Sequence, residues 1–261
     1  MSKFCLQGSN SLLGAFMKGQ WLLSKPIAHR GLHTKELPEN SLGAFSNAIE
    51  SGYPIELDVR LTDDDKVVVF HDDSLGRMTG KDGYVSKINS DALVDYKLLN
   101  SEKKPTQFSI PTLKEVLDLV DGKVPLLIEI KNQGAVGSLE KKTAELLRTY
   151  NGECAVQSFN PYSIEYFKDN MPDLPRGILS CYFTKKDLKN PLKRHALKTL
   201  KLNKVAKPDF ISYCAENLPN RYVSKTKLPV LAWTVRSNET AQRLSTIANN
   251  IIFEKFTPKE Y

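Results

Sequence analysis

Eight short apolar runs, most of them followed by a helical segment, constrain this 261-residue chain more than any other feature. They span 26–30, 55–59, 125–131, 154–158, 176–180, 209–213, 229–235 and 250–254, and they read as strands. Between them, Leu42, Phe45 and Ile49 recur at helical spacing after Asn40 or Ser41 as N-cap, and Gly52 stops the run. Leu113, Val116, Leu117 and Val120 mark a second helix, ended by Gly122. Leu139, Thr143, Leu146, Leu147 and Tyr150 mark a third. Pro161 opens another, and further helical segments are predicted at Lys185–Leu202 and Asn238–Asn249. Eight strand–helix units in roughly 250 residues match an α/β chain folded as a (β/α)8 TIM barrel. A doubly wound open sheet is the structural alternative.

One link breaks the rhythm. Only Asp63–Lys66 separates the strand at 55–59, continued by Arg60–Leu61–Thr62, from the apolar run Val67–Phe70. A parallel neighbour needs a crossover of a dozen or more residues. The run must therefore fold back as an antiparallel hairpin. With Asp64–Asp65 as a two-residue turn, Asp58 faces His71; a one-residue slip is the alternative register. Residues 72–110 are rich in Gly, Ser, Asp and Lys, with a weak helical pattern at Asp91–Leu99. They read as part of an insertion at about 66–110 in a barrel domain at 26–261. Residues 1–25 read as a segment packing under the barrel, with Leu12, Leu13, Phe16, Met17 and Trp21 on one side of a short helix.

Successive strand residues face opposite sides, so Glu56 and Asp58 share one face while Ile55, Leu57 and Val59 share the other. At ~6–7 Å and an effective dielectric near 20, two such acids repel by about 2–3 kcal/mol. A cation, or protonation of one acid, offsets that repulsion. Taken alone, the strand reads first as a one-sided antiparallel strand with its acids in water. Glu129 and Lys131 are also two apart and share a face with the deeper Leu127, and by themselves they read as a structural ion pair. In a barrel, however, reactive groups gather at the C-terminal strand ends. There this chain places His29–Arg30, Glu56 with Asp58, Glu129 with Lys131, and Gln157–Ser158, while the hairpin adds His71–Asp72. Three inward carboxylates make an all-oxygen donor set, which suits Mg2+ or Ca2+ and not zinc. His33 and His195 are expected at the surface.

A hydrophobic content of 41% and a charged content of 26% are ordinary for a globular protein. The net charge of +7 favours anionic ligands. No Lys/Arg run is long enough for a nucleic-acid arm, and Lys185–Lys186 and Lys193–Arg194 read as solvated faces. Cys5, Cys154, Cys181 and Cys214 are widely spaced, which speaks against a zinc site or a disulfide framework and is compatible with a reducing compartment. Gln7–Ser11 interrupts any signal-peptide core, and no run approaches the ~20 apolar residues of a membrane span. A cytoplasmic protein with a small-molecule ligand, no nucleic-acid partner and no integral membrane segment is expected, with the oligomeric state open.

At this point the chain resembles the glycerophosphodiester phosphodiesterases. The resemblance rests on His29–Arg30–Gly31, Pro38–Glu39–Asn40–Ser41, Glu56–Leu57–Asp58–Val59 and Thr62–Asp63 through Val68–Asp72. Arg77–Met78–Thr79–Gly80, Glu129–Ile130–Lys131, Gln157–Ser158–Phe159–Asn160 and Trp233–Thr234–Val235 continue it in the family's order. The resemblance implies a barrel with a small insertion after its second strand. It implies a divalent metal on Glu56, Asp58 and Glu129, and His29 and His71 as the general acid/base pair. It also implies phosphate contacts from Arg30 and Lys131, and a glycerol or alcohol pocket at Trp233 and Phe159. The implied reaction is metal-dependent hydrolysis of glycerophosphodiesters to sn-glycerol 3-phosphate and an alcohol, by way of a cyclic phosphate. A lysophospholipase D or sphingomyelinase D-like activity, or a non-catalytic phosphate-binding barrel, are the alternatives. Family members often end the last strand in Thr-Asp and a proline; here the stretch is Ile252–Phe253–Glu254–Lys255–Phe256–Thr257–Pro258. Glu254 stands in place of the aspartate, and Phe253 offers no hydroxyl.

Overall fold

The computed structural model describes residues 19–259 apart from Gln133 and Asp187. Leu12, Leu13, Phe16, Met17 and Cys5 lie outside the described residues. In chain order the strands are β1 (Ile27–Ala28), β2 (Ile55–Leu61), β3 (Val67–Val69), β4 (Lys97–Leu99), β5 (Pro105–Ser109) and β6 (Leu126–Ile130). They continue as β7 (Cys154–Ser158), β8 (Arg176–Ser180), β9 (Phe210–Cys214), β10 (Val230–Val235) and β11 (Asn250–Phe253). All eight expected barrel strands are present. Each pairs in parallel with the next around the ring, and β1 pairs with both β11 and β2. That closure excludes the open doubly wound sheet.

The helices lie outside. The helix Leu113–Val120 opens on a capping box: the Thr112 hydroxyl accepts from the Glu115 N–H and the Glu115 carboxylate accepts from the Thr112 N–H. Its Leu113, Val116, Leu117 and Val120 are buried, as the 3.6-residue spacing requires. Ser41, the second of the two cap candidates, caps Leu42–Glu50, and Asn160 caps the Pro161 helix. The helical segment expected over Lys185–Leu202 is instead a loop, the helix Pro191–Lys198 and a turn, with a short separate helix at Asn203–Ala206 beyond it. Asn190 caps its start and Pro191 sits at its first position, which sets the later boundary. The helix Asn238–Leu244 is also shorter than the expected 238–249.

Strand alternation sorts the barrel into layers. Ile55, Leu57, Val59, Leu126, Ile128, Ile130, Ile211 and Tyr213 face the helices. Ile27, Leu127, Ala155, Phe210, Leu231 and Ile252 face inward and pack with Trp21 and Leu22 of a 3-10 turn. Asn250 donates 2.7 Å hydrogen bonds to the Leu22 and Lys25 carbonyls, tying that turn to β11. The next layer, toward the C-terminal strand ends, is polar.

The hairpin forms, in the slipped register. Val59 pairs with Val69 and Leu61 with Val67, so the turn takes three residues and Asp65 adopts a left-handed conformation (φ 59°). Asp58 is therefore opposite Phe70, whose N–H donates to its carbonyl at 2.9 Å. His71 reaches the carboxylates because β3 ends at Val69 and the chain leaves the ladder. The insertion builds its own core from Val68, Phe70, Leu75, Val85, Leu98 and Ile110. The helical pattern at Asp91–Leu99 resolves into a 3-10 helix at Ser90–Asp95 followed by β4.

Gly177, on the inner face of β8, leaves room for the Phe210 ring; a Cβ there would overlap it. Gly177→Ala should destabilise the barrel by about 1–3 kcal/mol through overpacking, each kcal/mol lowering Tm by ~2–4 °C in a thermal melt. An unchanged Tm would show that the inner layer yields.

Candidate active site

The C-terminal end of the barrel gathers the polar residues. Asp58 and Glu129 are paired across β2 and β6, and Glu56 lies two residues below Asp58 on the same face. One oxygen from each of Glu56, Asp58 and Glu129 lies within 4.8 Å of the others, and all three residues are buried. Lys131 Nζ is 2.9 Å from Glu129 and 3.5 Å from Asp58. Arg30 Nε is 3.4 Å from Asp58, and the Arg30 N–H donates to Glu56 at 3.0 Å. Asn40 donates to Asp58 at 2.9 Å.

The first strand ends in a sharp turn that delivers two of these groups. The His29 N–H donates to the Phe253 carbonyl, after which Arg30 (φ 55°) and Gly31 (φ 79°) are both left-handed. A Cβ on Gly31 would press against Phe45 and Ala44 of the first helix, so only glycine fits. Holding arginine at positive φ costs about 1–2 kcal/mol, and its bonds to Glu56, Asp58 and Glu39 hold it there.

The electrostatics are polarised. Burial, then the charges of Asp58 and Glu129, push the Glu56 carboxyl well up, against the pull of Arg30. Burial also raises Glu129, with Lys131 opposing it and Asp58 adding to it. Asp58 goes the other way. Burial alone would raise it, but Lys131, Arg30, His71 and the Asn40 hydrogen bond together hold it well below the carboxylate range. Asp58 is thus ionised, while Glu56 and Glu129 are held back from ionisation by burial and by their neighbours. A raised carboxyl stabilises the fold less as pH climbs above its unfolded value, because the unfolded chain then releases the proton first. A bound hard cation removes that penalty. Three converging carboxylates under this strain, offering only oxygen, fit such a cation.

Each histidine is pinned at one ring nitrogen. His29 Nδ1 lies 2.7 Å from Glu254, and His71 Nδ1 lies 2.6 Å from Asp72. A carboxylate only accepts, so Nδ1 carries the proton in both rings and Nε2 of a neutral ring keeps its lone pair. Burial lowers the His29 pKa below 6.5, outweighing the Glu254 hydrogen bond. Asp72 also binds Arg77, which bridges to Glu39, and Glu39 binds Arg30 at 2.6 Å. Burial would raise Glu39, but the Arg77 and Arg30 contacts pull it down to about 2. Arg60, on β2, donates to the His71 carbonyl at 2.8 and 2.6 Å and pairs with Asp73. The third wall is aromatic: Phe159 meets Trp233 edge-on at 5.5 Å and Phe183 at 5.8 Å. The Trp233 Nε1 is buried without a hydrogen-bond partner among the described residues.

His29, Arg30, Glu56, Asp58, His71, Glu129, Lys131, Phe159 and Trp233 all lie in this region at the barrel's C-terminal end. His33 departs from its expected surface position: it is partly buried, with Nε2 3.4 Å from Glu254. His195 is exposed. The eighth strand does contribute, through Glu254 and not through Phe253, whose ring packs outward on Tyr53 at 5.1 Å. The supporting roles of Arg60 and Arg236 were not visible in the sequence, and Glu254, which the motif placed where relatives carry an aspartate, gains its partner His29 only in the fold. A charged Arg60 within an apolar strand was the available signal for the first, whereas Arg236 lies in a loop, where a charge is ordinary.

Glu254 also takes a 2.7 Å bond from Arg236. Burial would raise its carboxyl, but the bonds to His29 and His33, the His29 charge and Arg236 outweigh it and hold it below 4.5. A lowered carboxyl contributes stability that is complete above its unfolded pKa and lost as pH falls through the folded one. Glu254→Gln should therefore cost about 1–3 kcal/mol in urea unfolding at pH 7, with a gap to wild type that narrows below about pH 4.5. A gap independent of pH would show that the charge is not what stabilises.

The match to known proteins follows the same residues. The family model described as the glycerophosphoryl diester phosphodiesterase family matches residues 29–255. A glycerophosphodiester phosphodiesterase of Caldanaerobacter subterraneus is 39% identical over 161 residues; the match spans 59% of this chain and 65% of that protein, a little under two thirds of its length. YhdW of Bacillus subtilis is 32% identical over 233 residues, 85% of this chain and 90% of that protein. An Oleispira antarctica phosphodiesterase, solved in complex with the product sn-glycerol-3-phosphate, superposes with a TM-score of 0.77 at 25% identity, covering 91% of this chain and 95% of that one. The chain belongs to the glycerophosphoryl diester phosphodiesterase family and is a phosphoric diester hydrolase.

Proposed function

We propose that this protein, in the cytoplasm, hydrolyses glycerophosphodiesters to sn-glycerol 3-phosphate and an alcohol. The observation that carries this reading is the pair of imidazoles, each pinned at Nδ1 by a carboxylate, beside one cluster of buried acids. Glu56, Asp58 and Glu129 would hold a divalent cation, Mg2+ or Ca2+, which supplies Lewis-acid charge for a phosphoryl oxygen when bound. Arg30 and Lys131 add fixed positive charge beside it, where charge spreads over the phosphoryl oxygens in the transition state. Trp233 and Phe159 form the apolar wall on which the glycerol or alcohol rests.

The two histidines act as a proton-transfer pair. Nε2 of one takes the proton of the glycerol hydroxyl next to the phosphate as that oxygen bonds to phosphorus. Nε2 of the other gives a proton to the departing alcohol oxygen as its bond to phosphorus breaks. Water then opens the cyclic phosphate, with the two roles exchanged. Glu254 and Asp72 keep each ring in the required tautomer. An analogue lacking that hydroxyl should be turned over far more slowly; equal rates would rule out the cyclic route.

A panel of glycerophosphodiesters assayed for glycerol 3-phosphate tests the whole reading. Turnover should stop in EDTA and return with Mg2+ or Ca2+. His29→Ala should lose about 10²–10⁴-fold in kcat with an unchanged circular dichroism spectrum. Near-normal turnover in that variant would remove His29 from the mechanism.

A further inference from the structure

The positive charge of this chain is not spread evenly. Residues 182–207 hold nine Lys and Arg and one acid, a net +8, whereas the whole chain carries +7. The rest of the molecule is therefore close to neutral. This stretch makes up most of the connection between β8 and β9, residues 181–209, which also holds Asp209; it leaves the barrel at the catalytic end and returns to the start of β9 at the other. Its first residues touch the site: Phe183 packs on Phe159, which packs on Trp233. The neighbouring Tyr182 is 43% exposed.

Within the stretch, the helix Pro191–Lys198 buries none of its residues, and Leu192 is 80% exposed. Arg194 donates to the Leu188 and Lys189 carbonyls, which ties the helix to the preceding turn. Lys185, Lys186, Lys189 and Lys193 are all exposed. Lys198 covers the Tyr182 ring at 5.0 Å. The most exposed large apolar side chains among the described residues share this end of the molecule. Tyr84 and Val94 sit in the insertion, and Tyr162, Tyr182 and Leu192 sit in connections that leave the C-terminal ends of β7 and β8. A basic surface bearing isolated apolar and aromatic tips is the signature of a face that settles into the headgroup region of an anionic bilayer. A nucleic acid would use the lysines but would gain nothing from an exposed leucine.

We propose that the rim formed by residues 182–186 and 188–193 docks this protein on anionic phospholipid bilayers. Leu192 and Tyr182 enter the interface, and Lys185, Lys186, Lys189 and Lys193 face the headgroups. The barrel mouth then opens beside the membrane surface. None of these six residues belongs to the catalytic constellation, and the docking does not depend on the reaction proposed above.

The full chain, without substrate, is sedimented with vesicles of phosphatidylcholine alone or with about one third phosphatidylglycerol. It should pellet only with the anionic vesicles and be released by ~1 M NaCl. Charge reversal in Lys185→Glu/Lys186→Glu/Lys189→Glu/Lys193→Glu should lower the partition coefficient at least about a hundredfold. Leu192→Asp should lower it several-fold, and both variants should keep wild-type turnover of a soluble glycerophosphodiester. Equal pelleting with neutral vesicles, wild-type pelleting of the quadruple variant, or retention on RNA without vesicle binding would each overturn the proposal.

Discussion

Glu56, Asp58 and Glu129 converge, all three buried, toward the C-terminal end of the barrel, and the surrounding residues answer their mutual repulsion. Lys131 and Arg30 neutralise part of it, and Asn40 and the Arg30 N–H add directed hydrogen bonds. The balance leaves Asp58 ionised and Glu56 and Glu129 reluctant to ionise. An acid cluster of this kind is costly without a cation, and its all-oxygen donor set fits a hard one. The same positive charge, set beside a metal-sized group of oxygens, is what a phosphodiester anion meets on entering the mouth.

A second tier of ion pairs connects this cluster to the two histidines. From Arg30 it runs through Glu39, Arg77 and Asp72 to His71, so the turn after β1, the loop before the first helix and the insertion are locked to one another. On the other side Glu254 gathers His29, His33 and Arg236. Both rings thus meet a carboxylate at Nδ1, from opposite ends of the sequence. The two orienting acids differ in their settings. Asp72 is adjacent to its histidine, whereas Glu254 reaches His29 across 225 residues and depends on barrel closure between β1 and β11.

Beneath the polar tier, the inward apolar layer and the 3-10 turn around Trp21 and Leu22 give the site an apolar floor. Hydrogen bonds and ion pairs above that floor act at lower dielectric than they would in water, which strengthens the paired groups and penalises any left unpaired. The insertion brings its own small core, so His71 and Asp72 hang from a structured arm and not from a free loop.

Much of this was legible in the sequence because it rests on local periodicity. Strand alternation identified which residues of 55–59 and 125–131 face inward, since a side-chain period of two leaves no freedom once one face is apolar. The brevity of Asp63–Lys66 dictated an antiparallel return, because four residues cannot span a crossover. The carboxylate set, both histidines and the aromatic wall followed from these local patterns and from the family motifs. Tertiary structure decided what depends on distant strands meeting. The hairpin took the slipped register because Asp65 accepts a left-handed conformation, a choice of turn that spacing leaves open. Glu254 became the partner of His29, and His33 came in from the surface, only because β11 closes against β1. A charge at a strand end carries no mark of its partner: strand periodicity tells which way a side chain points, and only the closed ring determines what it meets there.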